Sequence, residues 1–194
     1  NAQWINDFVD VNGYLSVGYG YMSPSSKGLD DFTTNYNKQR ESILSKRMET
    51  PAMSGMTYNT GIMVVGILLE FGYTSRKGTM TAEADPTKVT PGSALKREIE
   101  LTHGGYNFTI GYLFGEGLLN FGPVFDLSIN TIDFTTTNSF GKTSAYEIGT
   151  FVGYNLGGML VLGNVANTGA FLTIRPYYSF TIREPNWREL YRVT

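Results

Sequence analysis

The chain has 194 residues, 41% of them hydrophobic and 14% aromatic, with 23 glycines and only 16% charged residues. That length supports one domain with a sizeable core, and a net charge of -2 without a basic run leaves no electrostatic footprint for nucleic acid. Cysteine is absent, which excludes a disulfide framework and thiolate metal sites. No HExxH, EF-hand loop or phosphate-binding GxxxxGK[ST] occurs either, so no metal or cofactor is expected.

Taken in chain order, the first clear element is "GYLSVGYGYM" (13–22). It sets Leu15, Val17, Tyr19 and Tyr21 on one parity against Tyr14, Ser16, Gly18 and Gly20 on the other, the period of two of an extended strand. A long polar segment follows (23–56), in which "NKQRESILSKRM" predicts a short helix. The longest apolar run, "IMVVGILL" (62–69), is too short for a membrane helix, which needs about 20 residues. Strands of about 9–11 residues do span a bilayer when they close into a barrel.

The same binary code then recurs. Phe71 and Tyr73 oppose Glu70 and Gly72; Phe108, Ile110 and Tyr112 oppose Asn107, Thr109 and Gly111. Phe125 and Leu127 oppose Asp126 and Ser128, while Ile148, Val152 and Tyr154 oppose Glu147, Gly149 and Gly153. Ile174, Tyr178 and Phe180 oppose Thr173, Arg175 and Ser179. The predicted strands are 11–22, 56–64, 67–80, 97–114, 121–134, 142–155 and 169–183, with 184–194 a poor eighth strand or an unassigned tail. The apolar parity changes between His103 and Tyr106, which predicts a β-bulge at Gly104–Gly105.

Two features orient these strands. The small-residue face carries almost none of the Lys and Glu that the solvent side of a soluble sheet requires. The bulky face is rich in aromatics, as at membrane interfaces. The expected fold is therefore all-β: an antiparallel up-and-down transmembrane barrel of about eight strands, its bulky residues outward and its lumen filled by side chains. Long and short connections alternate, with 81–96 a long polar loop and 115–120 a short turn.

The pattern resembles the small outer-membrane β-barrels of the OmpA/OmpX type over most of residues 11–183, through alternation and loop rhythm. The resemblance implies integral location in a bacterial outer membrane, with lipid or lipopolysaccharide around it and other outer-membrane proteins as candidate partners.

Three groups of residues are candidates for function. Glu70, Arg76, Asp126, Glu147, Arg175 and Arg183 fall on the lumen parity and should pair inside, with Glu147 and Arg175 brought together by a terminal hairpin. Lys38, Arg40, Lys46, Arg47 and Met48 make the loop 23–56 a candidate partner surface. His103 is the only histidine; a lipid-modifying enzyme would use it as a general base, but no Ser or Asp lies within two residues on its own face. The favoured reading is a non-enzymatic structural or accessory barrel, free-standing or a subunit of a larger complex, with the enzyme and a small channel as rivals.

Overall fold

The computed structural model describes residues 11–116, 118–141, 143–163, 170–182, 185–187 and 190. Its strands are β1 (Val11–Met22), β2 (Leu44–Lys46), β3 (Met53–Val64), β4 (Ile67–Ala84), β5 (Lys96–Tyr112), β6 (Phe114–Glu116), β7 (Leu119–Asn138), β8 (Thr143–Leu162), β9 (Leu172–Ile174) and β10 (Tyr177–Thr181). One helix, α1 (Lys27–Gln39), follows β1.

The strands form a single antiparallel sheet in the order β1-β3-β4-β5-β7-β8-β10, with β9 also on β8 and the short β2 and β6 pairing with β4 and β7. At one end the connections are tight. Val65 and Gly66 both have positive φ, at 50° and 81°, as a two-residue hairpin loop matched to strand twist requires. At the other end lie the connection 23–52 carrying α1, the loop 85–95 and a turn at 139–141.

Among the described residues the sheet curls but does not close, so the expected closed cylinder of about eight strands is corrected to an open sheet with β1 and β10 as its free edges. The tail supplies no further strand among the described residues. Trp187 and Leu190 instead turn inward and are buried beside α1. The reason is apolar demand at that end, where the interior is otherwise open.

Several strands run well past their predicted ends, β4 to Ala84, β7 to Asn138 and β8 to Leu162. The bulge expected at Gly104–Gly105 is absent: Gly104 and Gly105 pair in unbroken register with Thr131 and Asn130 on β7 and with Ser75 and Thr74 on β4. What changes there is the environment of each face. Below this point the outer residues are bulky and apolar; above it, Leu101 and Ile99 point inward and are buried while Glu100 and Glu98 look out.

A real irregularity lies in β8, where Ile132 pairs with Gly149 but Asp133 pairs with Glu147. Ile148 is the extra residue, and Gly149 takes φ 104° beside it. The bulge reverses the parity of everything before it. Ile148, expected outside with Val152, is buried in the core, and Glu147, expected in the lumen, is exposed on the outer side.

The helix also sits earlier than the sequence suggests. Ser26 caps it, its Oγ accepting from the Leu29 amide at 3.3 Å, and Leu29, Phe32, Thr33 and Tyr36 lie on one buried face. Residues 40–46 form a turn and β2 instead. The face of α1 covers the mouth of the sheet, packing with Met48, Met53, Met80, Ile99, Leu101, Ile132, Phe134, Trp187 and Leu190. Gly28 allows the Trp187 indole to approach: a Cβ there would lie 2.3 Å from its Cδ1. Gly28→Val is therefore expected to lower stability by about 1–3 kcal/mol, read as an earlier melting midpoint in tryptophan fluorescence.

Candidate functional site: an apolar belt around a polar interior

The interior is layered. At the tight-turn end Leu68, Leu113, Val124, Met159 and Val161 are buried together, with Tyr14, Met63 and Phe171 packed against them. At the opposite end lies the larger apolar cluster beneath α1. Between the two is a polar zone with a cavity of about 600 Å³, lined by groups such as Asn59, Thr74, Asn107, Ser128 and Asn155.

Glu70 and Arg175 form the centre of that zone. Arg175 donates both terminal nitrogens to the Glu70 carboxylate, with Nη2 to Oε2 at 2.6 Å, and Tyr14 Oη donates to the same carboxylate at 2.5 Å. Such a two-pronged pair is the geometry in which an arginine compensates a buried acid best. It ties β1, β4 and the link between β9 and β10 together across the interior. Arg175 does not meet Glu147, because the bulge sends Glu147 outward and the register places Tyr177 opposite Gly157, far along β8.

Asp126 accepts from Asn155 Nδ2 at 3.3 Å. Arg76 is buried and donates to Tyr177 Oη at 2.5 Å and toward Met22 Sδ at 4.0 Å. Among the described residues no carboxylate lies within ion-pair distance of it, and its Nε has no partner. Arg183 lies outside the described residues.

His103 is buried, with Nε2 against Asn130 Oδ1 at 3.1 Å, and Asn130 Nδ2 donates on to Ser128 Oγ at 2.8 Å. Ser128 Oγ donates in turn to the Gly153 carbonyl. No serine or carboxylate hydrogen-bonds to the imidazole among the described residues, and Nδ1 has no partner. A base without an adjacent nucleophile does not make a covalent-catalysis pair.

The outer surface is layered in the complementary sense. Leu15, Val17, Tyr19, Tyr21, Phe71, Tyr73, Phe108, Ile110, Tyr112, Phe125, Leu127, Val152, Ile174, Tyr178 and Phe180 are all exposed on the outer side of the sheet. They form a continuous belt with ring pairs along it, including Tyr73–Tyr106 at 5.1 Å and Tyr154–Phe180 at 5.0 Å between centroids. Beyond the belt the outer residues become Lys77, Thr79, Glu98, Glu100, Thr102, Asp133 and Thr135, and Lys77 pairs with Glu100 at 2.8 Å.

The candidate partner loop keeps its charges at the surface but not its methionine. Lys38, Lys46 and Arg47 are exposed, with Arg47 bonded to Glu41 at 2.7 Å and Arg40 stacked over the Tyr36 ring at 4.3 Å. Met48 is buried, and both its amide and its carbonyl are held by the Asn37 side chain at 2.8 Å. Its thioether fills the dome under α1, so it is not available as an adaptable surface.

Tyr14, Asn130, Asn155 and Tyr177 are interior partners that the sequence reading missed. Tyr14 carried a readable signal: it is the one aromatic residue on the small face of "GYLSVGYGYM". Among the described residues no helix is long and apolar enough to cross a membrane, and no cluster of His and acidic groups could hold a metal. Protein-family models, curated proteins and solved structures give no match to this chain.

Proposed function

We propose that this chain is an integral β-barrel-type protein of a bacterial outer membrane, non-enzymatic and with a plugged interior. In this reading it acts as a structural or accessory envelope component. It presents the α1 end and its loops to a protein or lipid partner, of the class of other outer-membrane proteins or lipopolysaccharide.

One observation carries the reading: polarity inverts along single strands without a change of register. On β5, Tyr106, Phe108, Ile110 and Tyr112 are outside and Asn107 and Thr109 inside, while a few residues earlier Leu101 and Ile99 are inside and Glu100 and Glu98 outside. The second arrangement is what water selects, and the first is what hydrocarbon selects. A strand carrying both belongs at a boundary between the two solvents. The outer apolar stretches Phe121–Ile129 and Val152–Leu162, at ~3.4 Å per residue and a tilt of ~45°, correspond to roughly 20–25 Å, close to the apolar band of outer-membrane barrels.

The apolar layers at both ends of the polar zone support a plug over an open channel. Refolding the chain into phosphatidylcholine vesicles tests the reading. Co-flotation with the vesicles is expected, with protease cutting confined to the connections 23–52 and 85–95. A chain that stays monomeric and soluble at high concentration without detergent would overturn it.

A further inference from the structure

We infer that the seam between β1 and β10 is an acceptor for one further β-strand, supplied by a partner polypeptide, running antiparallel to both edges and carrying an inward carboxylate for Arg76. The inference rests on the membrane reading above and names the partner chemistry that it leaves open.

Direction comes first. Each of the six successive pairings from β1 through β3, β4, β5, β7 and β8 to β10 is antiparallel. The two free edges therefore run the same way. They cannot zip to each other as an antiparallel pair, whereas one strand of opposite direction satisfies both. In hydrocarbon an unpaired row of amides and carbonyls costs several kcal/mol per group, so a free edge at belt level demands an occupant.

Other occupants fit less well. A second copy standing the same way up in the bilayer offers only its own β1 and β10 edges, which run in the wrong direction. The described part of the tail is engaged elsewhere, with Trp187 and Leu190 buried under α1.

Charge supplies the second, independent argument. Arg76 reaches from β4 to the back of the seam and touches both of its sides. A Cβ on Gly20 of β1 would lie 3.4 Å from its Nη2, and the same nitrogen bonds Tyr177 of β10. Arg76 is only 7% exposed, yet its Nε is unpartnered and no described carboxylate neutralises it. A buried cation left in that state is costly until an anion arrives. The next inward side chain beyond Gly20 and Tyr177 would come from the inserted strand, and a carboxylate there completes the pair. Its outward residues, flanked by Tyr19 and Tyr178, must be apolar, and its inward residues small or polar.

The experiment uses the 194-residue chain in dodecyl maltoside micelles. The probes are two synthetic 12-residue peptides alternating Val or Tyr with Ser or Gly, one with a central inward Asp and one with Lys at that position. Saturable binding of the Asp peptide is expected, about tenfold or more tighter than the Lys peptide. That preference should vanish in Arg76→Met. The peptide swap tests the same point on the unaltered protein should that variant fail to fold. Because the chain lacks cysteine, a cysteine-bearing Asp peptide should form disulfides with both Tyr19→Cys and Tyr178→Cys. Equal binding of the two peptides, no saturation by about 100 µM, or efficient disulfide formation within a Tyr19→Cys/Tyr178→Cys double variant would each overturn the inference. Vesicle flotation reads the membrane assignment separately, so the two failures are distinguishable.

Discussion

Replacing Arg175 with methionine is expected to destabilise the protein by about 3–5 kcal/mol, the cost of stranding a buried carboxylate. Glu70 is 1% exposed and sits between Arg175 and Tyr14, so losing the guanidinium removes the cation that compensates its buried carboxylate. Glu70→Met alone should cost a similar amount, because it leaves Arg175 uncompensated. The double variant Glu70→Met/Arg175→Met should be markedly less destabilised than the sum of the two, since two apolar groups of similar volume remove the charge pair together. Equilibrium unfolding in urea, followed by tryptophan emission in vesicles, measures all three. Strict additivity would mean that the pair is not coupled.

Truncating Arg175 to alanine should not open a pore. Leu68, Val124, Met159 and Val161 still close the tight-turn end, and α1 with its apolar partners still covers the other. Planar-bilayer recordings of Arg175→Ala should show no stable conductance. A steady open level would overturn the plugged interior.

Placing arginine at Phe108 is expected to cost about 2–4 kcal/mol, whereas the same change at Thr102, further up the same strand, should cost less than about 0.5 kcal/mol. Both side chains face outward, and in water both would be tolerated alike. Phe108 pairs with Leu127 within the belt, while Thr102 pairs with Asp133 beyond it. Only a hydrocarbon surround at the first position makes the two differ. Unfolding free energies of the two variants in vesicles give the comparison, and equal small costs would argue for an aqueous surround throughout.

The alternation of "GYLSVGYGYM" and of the segments around Phe71, Phe108 and Phe125 was enough to place the strands and to tell one face from the other. A side-chain period of two leaves no freedom once a segment is extended. The pattern failed where its contrast inverted. At His103 the switch from inward to outward apolar residues mimicked an inserted residue, although the backbone is regular there. At Ile148 the reverse happened: an actual bulge left the alternation looking intact and turned two residues to the wrong side. Periodicity reports a face relative to its neighbours, and either an insertion or a change of surroundings can reverse it.

Local signals also misplaced the helix. Ser26 and the apolar series Leu29, Phe32 and Tyr36 hold it in place, but only because a dome of inward residues from β4, β5, β7 and β8 waits beneath. The pairing of lumen charges lay further out of reach. Glu70 and Arg175 are 105 positions apart and meet through the curl of the sheet across its interior, not through neighbouring strands.

The sequence alone determined that the chain is built from antiparallel strands with one bulky and one small face, because backbone sterics and solvent preference act residue by residue. Which acid meets which base, where the parity breaks, what α1 covers and whether the two edges join were decided only by tertiary structure. Those outcomes depend on curvature and register accumulated over the whole sheet, and no single segment carries that information.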